Sequence, residues 1–134
     1  MFLLLAFLIF GFSSPQARPD EAQAKLQQAI RALQERDYAT AEQGFRDVIA
    51  IDPQSAAAYC NLGVLYAQTD RLDSAIKELQ KARELTPGNP GISLDLGLAY
   101  YRNEKFAEAA PCFERVLQFR SEEHTSELQS LSHL

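Results

Sequence analysis

Histidine is missing from this chain until its last eleven residues, where His124 and His133 stand. Imidazole general bases and imidazole metal ligands are therefore excluded from everything before that point. Cysteine occurs twice, at Cys60 and Cys112, and two thiols without histidine make a poor metal site. The six glycines are scattered rather than gathered into a phosphate-cradling loop, and no serine has a nucleophile-elbow context. Carboxylates are plentiful but lie at surface spacings; Asp70, Asp73 and Glu104 read as turn and cap residues, not as general acids. Positive charge is not in excess, with 13 Lys and Arg against 18 Asp and Glu, so nothing points to nucleic acid. These absences predict a protein that is not an enzyme, holds no cofactor or metal, and takes no small-molecule substrate.

Long apolar runs are confined to the N-terminus, from Phe2 to Phe12. As a helix that run spans roughly 16 Å, against about 30 Å for a hydrocarbon core, so alone it does not cross a bilayer. A short small and polar stretch follows, and residues 1–17 are expected to be a secretory signal peptide, which makes the protein exported, periplasmic or secreted. No Lys or Arg precedes the run, and cleavage is ambiguous between Ala17, after Pro15, and Ser13, after Gly11. A truncated membrane anchor is the rival reading; membrane contact would then be through this segment only. No cysteine near the end of the run supports a lipoprotein.

The other end is unusual as well. Arg120 to Ser130 match, at every position, the in-frame translation of a widely used sequencing-library adapter. Residues 120–134 are therefore expected to be an artefactual tail, with the reading frame cut by the end of a DNA fragment. Removing Arg120 from the 13 basic residues and Glu122, Glu123 and Glu127 from the 18 acidic ones leaves 12 and 15, an ordinary solvated surface. Source DNA that still encodes Arg-Ser-Glu-Glu-His-Thr after Phe119 would refute this reading.

Between the ends a pattern recurs. Ala56 to Asn89 carry Tyr59, Leu62-Gly63, Tyr66, Ala75, Leu79 and Pro87. Gly63 and Ala75 are small where two antiparallel helices must approach closely, the larger residues supply apolar faces, and Pro87 stops the second helix. At a period of 34 residues, Ala29, Ala41, Phe45 and Pro53 fall in register before, and Leu96-Gly97, Tyr100, Ala109 and Phe113 after. Lys25, Gln28 and Ala32 replace the aromatic, Leu and Tyr of the first copy, as suits an end unit with one face to solvent. Ser93 replaces the aromatic in the third.

This pattern resembles the tetratricopeptide repeat, a helix-turn-helix unit of 34 residues. The resemblance implies an all-α fold, an α-solenoid of three stacked antiparallel helix pairs, with repeats 22–55, 56–89 and a truncated 90–119. Local signals place the helices. One should start at Asp20, with Gln23 completing a capping box, and end near Glu35 before a turn at Arg36-Asp37. Others should run over 38–51, over 56–68 after a Ser55 cap, over 72–85 after a turn at Thr69–Arg71, and onward from Pro90 after an Asn89 cap. Pro111, several places into the last helix, should bend it without ending it.

The family fold also implies a concave groove lined by the first helix of each pair. Counting by register, its lining is Gln23, Leu26, Ile30, Leu33 and Gln34, then Ala57, Cys60, Val64, Ala67 and Gln68, then Gly91, Leu94, Leu98, Tyr101 and Arg102. The floor is apolar, with Gln34, Gln68 and Arg102 along one edge, and suits an amphipathic helix or apolar peptide. Tetratricopeptide cochaperones that hold acidic chaperone C-termini use Lys and Asn, then Asn, then Lys and Arg. Here Leu26 and Ile30, then Asn61, then Gly91 and Asp95 occupy those places, and only Asn61 fits. Cys60 and Cys112 should point to opposite sides of the array, so no disulfide is expected. The chain is thus read as a non-catalytic protein–protein interaction module with a protein or peptide partner. The alternatives are a docking arm of a larger enzyme and a subunit of an envelope assembly; downstream repeats could also fill the groove from within.

Overall fold

The computed structural model describes residues 19–132. Six helices account for nearly all of it: α1 (Pro19–Gln34), α2 (Tyr38–Ile51), α3 (Ala56–Gln68), α4 (Leu72–Leu85), α5 (Pro90–Arg102) and α6 (Phe106–Leu131). The boundaries read from caps and turns at 38–51, 56–68, 72–85 and Pro90 are found as expected. Residues 1–17, expected to be a signal peptide, lie outside the described residues. Among the described residues no helix is long and apolar enough to cross a membrane.

Side-chain capping explains three of the starts. Asp37 accepts from the Thr40 N–H at 3.2 Å, Ser55 from Ala58 at 3.3 Å, and Asn89 from Gly91 at 2.9 Å and Ile92 at 3.2 Å. The first helix differs from expectation. Its described part already includes Pro19, so Asp20 has helical backbone and cannot be the cap. It stays in the first turn, where a carboxylate favours the helix dipole.

Helix ends show the effect of proline directly. α2 stops at Ile51, two residues before Pro53, and α4 stops at Leu85, two before Pro87. The corresponding position after α6 is Ser121, and without proline there the helix runs on to Leu131. Side chains from Leu117 to Leu131 are exposed, and the polar ones bond within their own helix, as Gln118 does to Glu122 at 3.2 Å. Pro111 sits inside α6, which continues through it.

Each helix pair turns in the same way. Arg36, Asp70 and Glu104, spaced by one repeat, have φ of 61°, 61° and 59°. Each is followed by a capping bond: Asp37 N–H to Ala32 O at 2.8 Å, Arg71 to Tyr66 at 2.8 Å, and Lys105 to Tyr100 at 2.9 Å. A left-handed backbone is costly for a side chain and free for glycine. Arg36→Gly and Glu104→Gly should each raise stability by about 0.5–1 kcal/mol in urea denaturation. Unchanged midpoints would mean the turns are not left-handed in solution.

Helices pack mainly within pairs, then with the adjoining pair, and the inner helices α1, α3 and α5 touch in sequence. Small residues set the closeness. A Cβ on Gly63 would lie 2.6 Å from Leu79 Cγ, and one on Gly97 would lie 2.8 Å from Phe113 Cε1. In the first pair the glycine is on the other helix: a Cβ on Gly44 of α2 would lie 2.7 Å from Ala29 Cβ. Phe45, Val48, Leu65, Leu79 and Leu96 fill the core behind these contacts.

A polar cluster joins the first two pairs. Tyr66 Oη donates to Glu42 Oε1 at 3.0 Å; Arg46 Nη2 donates to Tyr66 Oη at 2.8 Å and Glu42 Oε1 at 2.9 Å. Arg71 donates to Glu42 Oε2 at 2.9 Å, and its guanidinium lies 4.3 Å from the Tyr66 ring centre. Between the second and third pairs the counterpart of the Arg46–Tyr66 bond is Gln80 donating to Tyr100 Oη at 2.6 Å, and Asn103 and Lys105 both reach Asp73. Burial pushes the Glu42 carboxyl up, but Arg71, Arg46 and Tyr66 together hold it below the usual glutamate range. A depressed folded value stabilises above the unfolded pKa and is lost as pH falls through it. Glu42→Gln should therefore cost about 1 kcal/mol at neutral pH, limited by the partly exposed arginines, and nothing in strong acid. A cost that does not change with pH would show that the cluster acts by packing alone.

Candidate functional site

The inner face is built from α1, α3 and α5, and its depth changes along the array. Leu26 is 7% exposed and belongs to the core, while Ile30 and Leu33 are half-buried against it. Cys60, Val64 and Ala67 are half-buried on α3. On α5 the face opens: Leu94 is 41%, Leu98 46% and Tyr101 58% exposed. Gln23, Ala57 and Gly91 are exposed at one margin, and Gln34, Gln68 and Arg102 at the other. The apolar strip is thus shallow at the first pair and most accessible at the third.

Two of these residues have duties inside the fold. Arg102 donates to Ala67 O at 2.7 Å and pairs with Asp70 at 3.2 Å, so its charge sits on the C-terminal end of α3 and complements that helix's dipole. Tyr101 meets Phe106 edge to face, with ring centres 5.4 Å apart, across the turn into α6.

Asp95 is the feature that sequence reasoning noted only as a mismatch. Half-buried on α5, it accepts a weak bond from the Cys60 thiol, 3.8 Å away on α3. No described Lys or Arg forms an ion pair with it. Burial pushes its carboxyl above the usual aspartate range, and the Cys60 thiol only partly offsets this. Burial and then the Asp95 charge push the Cys60 thiol up to about 11, so it is not a nucleophile at neutral pH. Cys112 is free and buried, and burial raises its thiol despite Arg83 and Arg115 nearby. Cys60 is free as well.

Another cleft, of about 540 Å³, opens on the α2 and α4 side between Arg46, Tyr59, Lys77 and Lys81. Its rim mixes both charges, with Glu78 and Glu84 among the lining residues with the lysines. No group of three or more His, Cys, Asp or Glu among the described residues could hold a metal ion.

The tetratricopeptide repeat family model matches residues 26–90 and 94–123. This chain belongs to the tetratricopeptide repeat family. Among its relatives is a repeat-containing protein, PA4667, of Pseudomonas aeruginosa, 32% identical over 101 residues. That match takes in 75% of this chain and 17% of the relative, so the chain spans a small part of a much longer protein's length. A solved structure of MamA superposes with a TM-score of 0.73 at 24% identity, over 78% of this chain and 61% of that one. The second tetratricopeptide domain of Spaghetti (RPAP3), bound to the HSP90 peptide SRMEEVD, superposes at 0.73 and 23% identity, over 77% and 95%. At those identities the likeness establishes the fold: an all-α tetratricopeptide solenoid, which is the architecture of a protein-interaction scaffold.

Proposed function

We propose that this chain is a non-catalytic interaction module of an exported protein, and that it takes a peptide or helix of a partner along the inner face of α1, α3 and α5. The observation that carries the reading is the exposure of Leu94, Leu98 and Tyr101 on one face of α5, continuous with Val64 and Ala67 on α3. Apolar side chains clustered in this way on a concave surface mark a binding strip rather than a solvated helix. A display selection against the full chain tests it. Selected peptides should be apolar on one face and should lose binding to Leu98→Glu but not to Lys77→Glu on the opposite side. Equal binding to both variants would overturn the groove.

Support for export comes from the Phe2–Phe12 run and the polar break after it. A C-terminal phosphatase reporter that is active only outside the cytoplasm should be active on the full chain and silent without residues 1–17. Activity in both, or in neither, would remove export from the proposal.

A second reading has the repeats as the docking arm of a longer enzyme or envelope assembly. The length of the Pseudomonas aeruginosa relative, of which the match spans 17%, favours it. It uses the same groove and differs in what the rest of the protein does.

A further inference from the structure

Charge on the inner face is concentrated in two side chains. The register positions that face the groove hold Gln23, Ala57 and Gly91; Leu26, Cys60 and Leu94; Ile30, Val64 and Leu98; and the polar set Gln27, Asn61 and Asp95. Of these, Asp95 alone carries a carboxyl group, and among the described residues the one cation on that face, Arg102, already commits its guanidinium to Ala67 O and Asp70. Asp95 is half-buried between the exposed Leu94 and, one turn on, the exposed Leu98. Its protein partner is a thiol at 3.8 Å, a poor replacement for the water it has lost.

A half-buried carboxylate in an apolar strip with a thiol and no cation beside it is poorly compensated, and an incoming cation would meet less competition from water there than on an open surface. A carboxylate brought to the same place would be repelled. Resting on the groove reading above, the geometry points to a partner segment of stated chemistry: an amphipathic helix or apolar peptide of another protein, carrying a Lys or Arg beside its apolar face that pairs with Asp95. The side chain that makes the choice is Asp95, with Leu94, Leu98 and Val64 as the apolar platform around it. Acidic peptides are excluded by the same charge.

Three labelled helical peptides of about 16 residues test this, identical in their leucine face and carrying Lys, Gln or Glu along its borders. Binding to the full chain is read by fluorescence anisotropy. The Lys peptide should bind about tenfold more tightly than the Gln peptide, the Glu peptide least, and the Lys advantage should shrink with added salt. Asp95→Asn should remove the Lys advantage and leave the Gln peptide unchanged, whereas Glu114→Gln, exposed on α6, should change neither. Equal loss in both variants would make the effect one of net charge and overturn the proposal. If wild-type chain binds all three peptides alike, the charge proposal falls and the groove remains; if it binds none, both fall. Self-association that the peptides disperse would give the groove to a second copy of the chain, and the proposal would again fall.

Discussion

Gly63→Leu is expected to destabilise the chain by about 3 kcal/mol, a fall in melting midpoint on the order of 10 °C. Even the first carbon of the new side chain has no room. It would stand 2.6 Å from Leu79 Cγ, 3.1 Å from Leu79 Cδ2 and 3.2 Å from the Ala75 carbonyl. Leu79 and Ala75 are fully buried, so neither has free space to retreat into. The rest of a leucine could be seated only by parting α3 from α4. Gly63→Ala should cost less, because the gain in helix propensity, up to about 1 kcal/mol, offsets part of the overlap. Gly88→Ala is the control: nothing lies within 4 Å of its Cβ position, and its midpoint should move little. A Gly63→Leu midpoint as high as that of Gly88→Ala would mean that the two helices are not paired as described.

Phe45→Ala is expected to cost about 3–5 kcal/mol, the range for emptying a buried aromatic site. Phe45 is fully buried in the core, on α2, the helix that packs against both α1 and α3. Phe113 occupies the same register position in the last pair, yet it is only half-buried. No further described pair covers it. Phe113→Ala should therefore cost clearly less than Phe45→Ala in the same urea titration. Equal costs would show that Phe113 is covered in solution by something the fold of residues 19–132 does not supply.

The sequence made the helices legible because their limits are written in local chemistry. Ser55 and Asn89 can cap only the helix after them, and Pro53 and Pro87 can end only the helix before them. The pairing was legible from Gly63 and Gly97, though the first pair hides the same device by placing Gly44 on the opposite helix. The capping box at Asp20 failed because a capping pattern states where a helix may begin, not that no earlier residue joins it. What stayed hidden depends on residues far apart in the chain. Glu42 and Arg71 meet only when two pairs are stacked, and so do Cys60 and Asp95. The left-handed turns at Arg36, Asp70 and Glu104 were hidden for another reason: no glycine stands there to announce the strained backbone. Along the inner helices, burial, not sequence, separates Leu26 in the core from Leu98 in the open.

Helices that touch only their neighbours along the stack have a kinetic meaning as well. No contact in the described fold waits for the chain's two ends to meet, so closing each unit costs only a short loop's entropy. α1 and α2 can be complete before α5 has been made, and α3 and α4 can settle on them in turn. A chain delivered from one end, whether by a ribosome or through a membrane pore, would build this array in the order in which it emerges.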